Sequence, residues 1–162
     1  MNTPPKPNPT RVLFLCTKNS ARSQMAEALL AELGGARFDV ASAGASPAME
    51  MDPMTFEVLD DLGIDWRSHR PKGYDTILGT TWDVVITVCD RARESCPVLP
   101  GHPVYAHWSI EDPIEFHGTG WARRAAFRAA VARLRECIGQ LVQLRPTDLR
   151  AERLNACYEE RK

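Results

Sequence analysis

Two short, mostly apolar runs in this chain each end directly at a cysteine. Residues 11–15 (RVLFL) precede Cys16, and residues 83–88 (DVVITV) precede Cys89. Apolar runs of this length are typical of strands buried on both faces, as in parallel sheets. Because parallel strands end at the same edge of a sheet, where ligands bind, the sequence predicts that the two cysteines lie near each other there.

Helical patterns alternate with the predicted strands. Apolar residues recur at helical spacing from Met25 to Leu33, and Gly34 and Gly35 end the pattern. The other predicted strands are residues 38–42 and 104–107, and the other predicted helices are residues 53–62 and 121–144. A loop with a short helix is expected between residues 66 and 79. This alternation predicts an α/β fold: a single three-layer domain with a four-stranded parallel sheet and helices on both faces.

Both ends of the chain are expected to lie outside this domain. Residues 1–10 are rich in proline and polar residues and are predicted to form a disordered leader. Residues 146–162 are predicted to form a charged C-terminal tail. The remaining residues, 11–145, are enough for one compact domain.

The overall composition narrows the expected partners and compartment. The formal net charge is −1, and no apolar run approaches the roughly 20 residues that span a bilayer. We therefore expect no nucleic-acid or membrane partner, and a monomer at this size. With no apolar signal sequence, a cytoplasmic protein is expected, where its 5 cysteines stay reduced. They are then reactive, metal-binding or incidental rather than structural disulfides.

The loop after the first strand has the features of an oxyanion site. Cys16 begins it and Arg22 ends it, immediately before a helix. Amide hydrogens, the helix N-terminus and a guanidinium all favour a tetrahedral anion, and the same field is expected to lower the pKa of the cysteine. Asn19 tolerates the left-handed backbone that such a tight turn requires. The predicted anion-binding residues are Thr17, Lys18, Asn19, Ser20, Ala21, Arg22 and Ser23. The alternative is an ordinary buried cysteine at a strand end.

The segment VLFLCTKNSARSQMAEALL, residues 12–30, resembles the active-site loop and first helix of the low-molecular-weight tyrosine phosphatase fold. More narrowly, it resembles the arsenate reductases built on that fold. The resemblance runs from about residue 11 to residue 144. Lys18 stands where that family usually has glycine, and its side chain is expected to affect anion affinity or partner choice without removing the nucleophile or the arginine.

A second segment, VVITVCDRARESCPVLPG at residues 84–101, resembles the redox segment of the thioredoxin-coupled arsenate reductases. The resemblance implies that Cys16 attacks arsenate and that Cys89 then attacks Cys16, which releases arsenite. It further implies that Cys96 takes over the disulfide from Cys16. Thioredoxin or another thiol donor then reduces the Cys89–Cys96 disulfide, and arsenic detoxification is the implied role.

The spacing of the second and third cysteines predicts a mobile segment. Cys89 and Cys96 are seven positions apart, so a continuous helix would separate their Cα atoms by roughly 10 Å. A disulfide requires Cα atoms within about 7 Å. If residues 90–100 are helical in the reduced protein, they must unwind for the bridge to form.

Asp112 is the predicted acid for the oxygen that leaves arsenic. It lies in the loop after the fourth predicted strand, so the rule on parallel sheets also places it at the edge with Cys16 and Cys89. The family resemblance also implies an acid here. Glu111 is the neighbouring alternative, and a purely structural turn residue is the other interpretation. Ile114 follows the Asp-Pro pair, where tyrosine phosphatases tend to have aromatic residues, which argues against phosphotyrosine as substrate.

Two metal sites are weighed, and neither is predicted. A zinc site would need a loose set of ligands whose cysteines are spaced more widely than in structural zinc sites; these are Cys89, Cys96, His102 and His107. Some relatives hold potassium near the loop. The matching residues here are Asn19, Glu27 and Ser42, but Lys72 occupies the position of an acidic ligand. No cofactor beyond the redox-active disulfide is therefore expected.

Two other functions stay open. A tyrosine phosphatase would use Cys16, Arg22 and Asp112 alone, and has no use for the Cys89 and Cys96 pair. A non-catalytic oxyanion or metal sensor would show no turnover with any thiol donor. A structural role is expected for His107, core packing for Cys137, and no role is assigned to Cys157.

Overall fold

In the computed structural model, which describes residues 3–116 and 118–159, strands alternate with helices. The strands are β1 (Thr10–Cys16), β2 (Phe38–Gly44), β3 (Val84–Thr87) and β4 (Val104–His107). The helices are α1 (Arg22–Gly34), α2 (Pro53–Asp60), α3 (Asp90–Glu94), α4 (Gly120–Leu141) and α5 (Ala151–Glu159). A single short 3₁₀ turn, Tyr74–Thr76, lies within the segment predicted as a loop with a short helix.

The four strands form one parallel sheet in the order β2-β1-β3-β4. This confirms the predicted α/β class and strand number. Residues 12–15 of β1 and 84–86 of β3 have no solvent exposure, so both faces of the sheet centre are covered. The register pairs Leu15 with Thr87. Cys16 and Cys89 therefore follow neighbouring strands at the same edge.

Helices α1 and α4 contact each other and bury the apolar stripes that the sequence predicts. In α4 the predicted stripe is fully or nearly fully buried: Phe127, Val131, Leu134, Ile138 and Leu141. Each such side chain contributes roughly 1.5–3 kcal/mol on burial. Helix α1 ends as predicted, because Gly35 takes a left-handed backbone at φ 55° that favours glycine. The prediction is wrong for Leu33, which the pattern placed on the apolar stripe of α1 but which is exposed at the end of the helix.

The predicted charged tail is wrong for its helical part. Helix α5 packs against β4 and α4, with Leu154 and Cys157 buried. Trp108 Nε1 donates to Leu154 O at 2.8 Å, and Asn155 Oδ1 accepts from His107 N at 3.0 Å. Leu154 and Cys157 lie three positions apart in a short, charged stretch, which is too weak a pattern to predict such a contact from sequence.

The N-terminal boundary lies close to its predicted place. Strand β1 begins at Thr10, one residue inside the predicted leader, and residues 3–8 are exposed and without regular structure. Within the described residues, no helix combines the length and apolar character that crossing a membrane requires.

Candidate active site

A cleft of about 280 Å³ opens at the carboxyl ends of β1 and β3. Its walls come from the loop before α1, from the start of α3 and from the loop after β4. The lining residues are Cys16, Thr17, Lys18, Asn19, Ser20, Ala21, Arg22, Cys89, Asp90, Arg91, Ser109, Ile110, Glu111, Asp112, Ile114 and Glu115. The predicted meeting of Cys16, Cys89 and Asp112 at one edge of the sheet is confirmed.

The sulfur of Cys16 is buried inside its own loop. Asn19 N donates to Cys16 Sγ at 3.1 Å, and Ser23 Oγ lies 2.7 Å from the same sulfur. Asn19 has φ 52°, the left-handed backbone predicted for it. This turn aims amide hydrogens at the position of the sulfur and of any anion beside it.

Burial raises the pKa of the Cys16 thiol, whereas hydrogen bonds from the Ser23 hydroxyl and from the amides of Asn19 and Ser23 lower it. The predicted lowering of this pKa is therefore wrong for the ligand-free loop. The reason is that desolvation of the charged sulfur outweighs the hydrogen bonds. The guanidinium of Arg22, which was expected to stabilise the thiolate, pairs with Asp112 instead.

Arg22 is paired with the predicted acid. Its Nη2 lies 3.1 Å from Asp112 Oδ2, and its Nη1 donates to Ile110 O at 2.9 Å. Both side chains are mostly buried, at 14% and 20% exposure, so the pair is shielded from solvent. An oxyanion in the loop must compete with Asp112 for the same guanidinium.

The side chain of Asn19 organises the loop, and its orientation is fixed by a backbone donor. Asn19 Oδ1 accepts from Lys72 N and from Gln24 Nε2, both at 2.8 Å. Its Nδ2 therefore donates to Ser23 Oγ at 2.7 Å and to Ser42 Oγ at 2.9 Å. Because Ser23 Oγ accepts this bond, its one proton is free for the sulfur of Cys16. Every hydrogen-bonding position of Asn19 is thus used.

This hydrogen-bond network ends at an ion pair between Glu27, which is buried, and Lys72, which is partly exposed. Ser42 Oγ donates to Glu27 Oε1 at 2.9 Å, and Lys72 Nζ lies 3.5 Å from that oxygen. The residues do not fit a potassium ion, because the ammonium of Lys72 already occupies the carboxylate of Glu27. The oxygen of Asn19 also faces other donors. Lys72 therefore supplies a fixed positive charge at this position.

Gln24 and Trp66 support the network and were not predicted from the sequence. Gln24 Nε2 also donates to Arg70 O at 3.0 Å, and its Oε1 accepts from Trp66 Nε1 at 2.8 Å. The four polar groups meet only in the folded chain. The one sign of this role in the sequence is that the polar Gln24 stands directly beside the predicted apolar stripe of α1.

Cys89 lies directly beside the loop of Cys16. Thr17 Oγ1 is 3.5 Å from Cys89 Sγ, and Ala92 N, in the first turn of α3, donates to the same sulfur at 3.4 Å. Cys89 thus caps the short helix α3 with its side chain. A thiolate at this position faces the cleft together with Cys16.

Cys96 does not line this cleft. It is half-buried beside a separate cavity of about 440 Å³, whose lining includes Arg93, Tyr105 and His107. Its Sγ donates to Pro97 O at 3.7 Å, and burial raises the pKa of its thiol. The structure thus brings together two of the three predicted relay cysteines.

His107 has the structural role that the sequence predicts. Its Nδ1 lies 2.7 Å from Thr87 Oγ1, and its Nε2 lies 3.0 Å from Asp90 Oδ1. Ser109 Oγ also donates to this carboxylate oxygen, at 3.3 Å. These contacts tie the first residue of α3 to β3 and β4.

The residues weighed for zinc do not form a cluster. Among residues 3–116 and 118–159, no group of three or more histidine, cysteine and acidic side chains is arranged to hold a metal ion. Lys18 and Glu111 both line the cleft.

Comparisons with known proteins give consistent matches. The family model "Low molecular weight phosphotyrosine protein phosphatase" matches residues 11–155. An arsenate reductase of Halalkalibacterium halodurans is 35% identical over 132 residues, which cover 82% of this chain and 91% of that protein. The crystal structure of an arsenate reductase from Archaeoglobus fulgidus superposes with a TM-score of 0.67 at 31% identity, covering 82% of this chain and 99% of that one. A thioredoxin-dependent arsenate reductase of Corynebacterium glutamicum gives a TM-score of 0.60 at 30% identity, covering 83% and 62% respectively.

Proposed function

The chain belongs to the low molecular weight phosphotyrosine protein phosphatase family, and on this premise we propose that it is an arsenate reductase with Cys16 as nucleophile. One observation carries the proposal: a second cysteine, Cys89, lines the same cleft as Cys16. Hydrolysis of a phosphate ester needs one cysteine. Reduction of arsenate needs a second sulfur that can attack the first.

In the first step the Cys16 thiolate attacks arsenic(V) of an arsenate held by the loop amides and Arg22. A sulfur–arsenic bond forms, and one oxygen leaves as water after taking up a proton. The hydrogen bonds from Ser23 and Asn19 stabilise the negative sulfur before the attack. Arsenic is still in the +5 oxidation state after this step.

Asp112 changes partner in this step. Paired with Arg22, it is held as a carboxylate. When the arsenate takes the guanidinium, Asp112 is released from this pair and faces the bound anion across the cleft. The protonated Asp112 then donates its proton to the departing oxygen.

In the second step the Cys89 thiolate attacks the sulfur of Cys16. A Cys16–Cys89 disulfide forms, the sulfur–arsenic bond breaks, and its electron pair stays on arsenic. Arsenic(V) thereby becomes arsenic(III) and leaves as arsenite, while the two sulfurs are oxidised. The contact of Cys89 with Thr17 of the anion loop supports this short path between the sulfurs.

In the third step Cys96 attacks Cys89, so that Cys16 leaves as a thiol and a Cys89–Cys96 disulfide remains. An external thiol donor then reduces this disulfide. The thioredoxin dependence named for the Corynebacterium glutamicum relative favours thioredoxin as that donor. Such a cycle requires a reducing compartment, which favours the cytoplasm.

We further propose that the enzyme works without potassium. The ammonium of Lys72 neutralises Glu27, so the charge that orients Ser42 and Asn19 comes from the chain itself. The loop therefore keeps its hydrogen-bond directions without a bound cation.

A weak phosphatase activity accompanies the reductase, because the same loop, arginine and acid serve a phosphate ester. This side activity gives the decisive comparison. In Cys89→Ser, arsenate turnover with thioredoxin and with small thiols should fall below detection, whereas hydrolysis of an aryl phosphate should persist. Cys137→Ser is the matched control, because Cys137 is buried in the core. Arsenate turnover that survives in Cys89→Ser would refute the reductase mechanism.

A further inference from the structure

One buried hydroxyl near the cysteines has no hydrogen-bond partner. Within residues 3–116 and 118–159, Tyr74 Oη is the only buried side-chain nitrogen or oxygen atom in this condition. Leaving such a group unpaired costs free energy, and folded proteins rarely retain one without a reason. A partner that forms in another state of the protein is such a reason.

Tyr74 lies close enough to all three cysteines to interact with their charges. It directly follows Gly73, which bridges to Gly44, and Gly44 pairs with Cys16 in the register of β1 and β2. Tyr74 and Cys96 both pack, partly buried, against the hydrophobic core. The Ser95 hydroxyl also lies near Tyr74 Oη, but it donates to Arg91 O at 2.9 Å.

The electrostatic surroundings keep this phenol protonated. Burial raises the pKa of Tyr74 most, the nearby Ser95 hydroxyl lowers it in part, and negative charge on Cys96, Cys16 and Cys89 raises it further. The hydroxyl is therefore a hydrogen-bond donor throughout the reaction and never a base. A donor without an acceptor is complementary to a nearby sulfur that becomes negative.

Among the described residues, Cys96 lacks a hydrogen-bond donor for its thiolate, whereas Tyr74 lacks an acceptor. Its thiol donates to Pro97 O, and a thiolate cannot use that carbonyl. In the cavity beside Cys96, both ring nitrogens of His107 already have partners. Tyr105 Oη accepts from Leu99 N at 3.1 Å and keeps its proton, so Tyr105 is the rival donor that a control variant must exclude. Arg93 is the one fixed charge that lines this cavity.

We propose that the Tyr74 hydroxyl donates a hydrogen bond to the sulfur of Cys96 as this sulfur becomes a thiolate and attacks Cys89. The inference rests on the proposed arsenate reduction. In the exchange, the Cys96–Cys89 bond forms, the Cys16–Cys89 bond breaks, and Cys16 leaves as a thiolate. The proton that Cys96 gave up returns to Cys16 through solvent, and no net oxidation occurs. Tyr74 keeps its own proton and stabilises the negative charge on the attacking sulfur.

Tyr74→Phe tests this assignment in a single turnover with the reduced full-length chain and arsenate. Arsenite release and the Cys16–Cys89 disulfide should form at the unmodified rate. Transfer to the Cys89–Cys96 disulfide, followed by mass spectrometry of alkylated peptides, should be about tenfold slower, the effect of one lost hydrogen bond to a charged atom. The pH at which Cys96 becomes alkylated should also move upward. Tyr105→Phe, which removes a hydroxyl from the same cavity, should change neither rate.

Three results would overturn the inference, and each is distinct from failure of the proposed function. The first is disulfide transfer and Cys96 alkylation in Tyr74→Phe that match the unmodified chain. The second is a slower release of arsenite, which would assign Tyr74 to Cys16 or Cys89 instead. The third is an equal loss in Tyr105→Phe. Failure of the proposed function itself would appear as absence of arsenite in the unmodified chain. Because Tyr74→Phe removes a hydroxyl that has no partner, thermal unfolding should show an intact fold.

Discussion

The anion loop, residues 16–23, and the relay segment, residues 89–100, both carry reactive cysteines, but they satisfy their polar atoms very differently. In the anion loop, Asn19 uses all its hydrogen-bonding positions, and the sulfur of Cys16 has two partners. In the relay segment, the one hydrogen bond described for the Cys96 thiol runs to the carbonyl of its neighbour, Pro97, across 3.7 Å. Helix α3 has only five residues.

This difference matches the two tasks. A loop that binds a tetrahedral anion gains from donors that already point at the anion, because no reorganisation is needed at the moment of attack. A segment that passes a disulfide from one sulfur to the next must change shape. A short helix and few fixed hydrogen bonds suit such a change. The comparison predicts the largest loss of stability at the centre of the loop network and a small loss at its far end.

The largest effect is expected for Asn19→Ala, which removes the hub of the loop network. Two hydroxyls and two donors lose a partner in a buried place, so the free energy of unfolding should fall by about 3–5 kcal/mol. Arsenite production should fall with it. Urea unfolding followed by tryptophan fluorescence measures the loss.

Asn19→Gly separates the two contributions of this residue. Glycine accepts the left-handed backbone at φ 52° without strain, so this variant should be more stable than Asn19→Ala by about 1 kcal/mol. Alkylation of Cys96 should be unchanged in both variants. Equal stability of Asn19→Ala and the unmodified chain would remove the basis for calling the loop preorganised.

The second prediction compares how the alkylation rates of Cys16 and Cys96 depend on pH. Burial raises the pKa of both Cys16 and Cys96. The thiolate is the reactive form, so its fraction grows with pH until the raised pKa is reached. From pH 7 to pH 9 the alkylation rate of each should rise about 100-fold. Sulfate should protect Cys16 from iodoacetamide but leave Cys96 exposed to it. A flat profile for Cys16 would mean that its thiolate is already formed at pH 7.

The sequence predicted those parts of the fold and site that depend on local pattern. The apolar runs before Cys16 and Cys89 predicted strands β1 and β3, and the strand–loop–helix order predicted the anion loop. Asn19 was expected in its left-handed turn because the chemistry of asparagine is local. The meeting of Cys89 and Asp112 with Cys16 followed from one rule on parallel sheets.

Other features depend on contacts between residues far apart in the chain. The pairing of Lys72 with Glu27, the unpaired hydroxyl of Tyr74 and the docking of α5 have no local signature. The raised pKa of Cys16 was missed for a related reason. The depth of burial and the direction of the Arg22 side chain belong to the folded chain, and both outweigh the local field that the sequence suggested.

The smallest effect is expected for Lys72→Met, at the far end of the loop network. Glu27 is 7% exposed and would lose its cationic partner, whereas Lys72 is itself 32% exposed, so solvent screens part of the interaction. We therefore expect the free energy of unfolding to fall by about 1–2 kcal/mol. Lys18→Met, which changes an exposed lysine of the anion loop, is the matched control for stability and should cost less than about 0.5 kcal/mol.

A further variant, Lys72→Asp, tests whether the chain supplies its own cation. Replacing sodium by potassium should leave the stability and arsenate turnover of the unmodified chain unchanged. In Lys72→Asp, which adds a carboxylate beside Glu27, potassium should instead raise the stability of the loop, because two neighbouring carboxylates and the hydroxyl of Ser42 then suit a hard cation. Potassium dependence in the unmodified chain would show that the Lys72 ammonium does not replace the ion, and the anion loop would then need a bound cation to keep its hydrogen-bond directions.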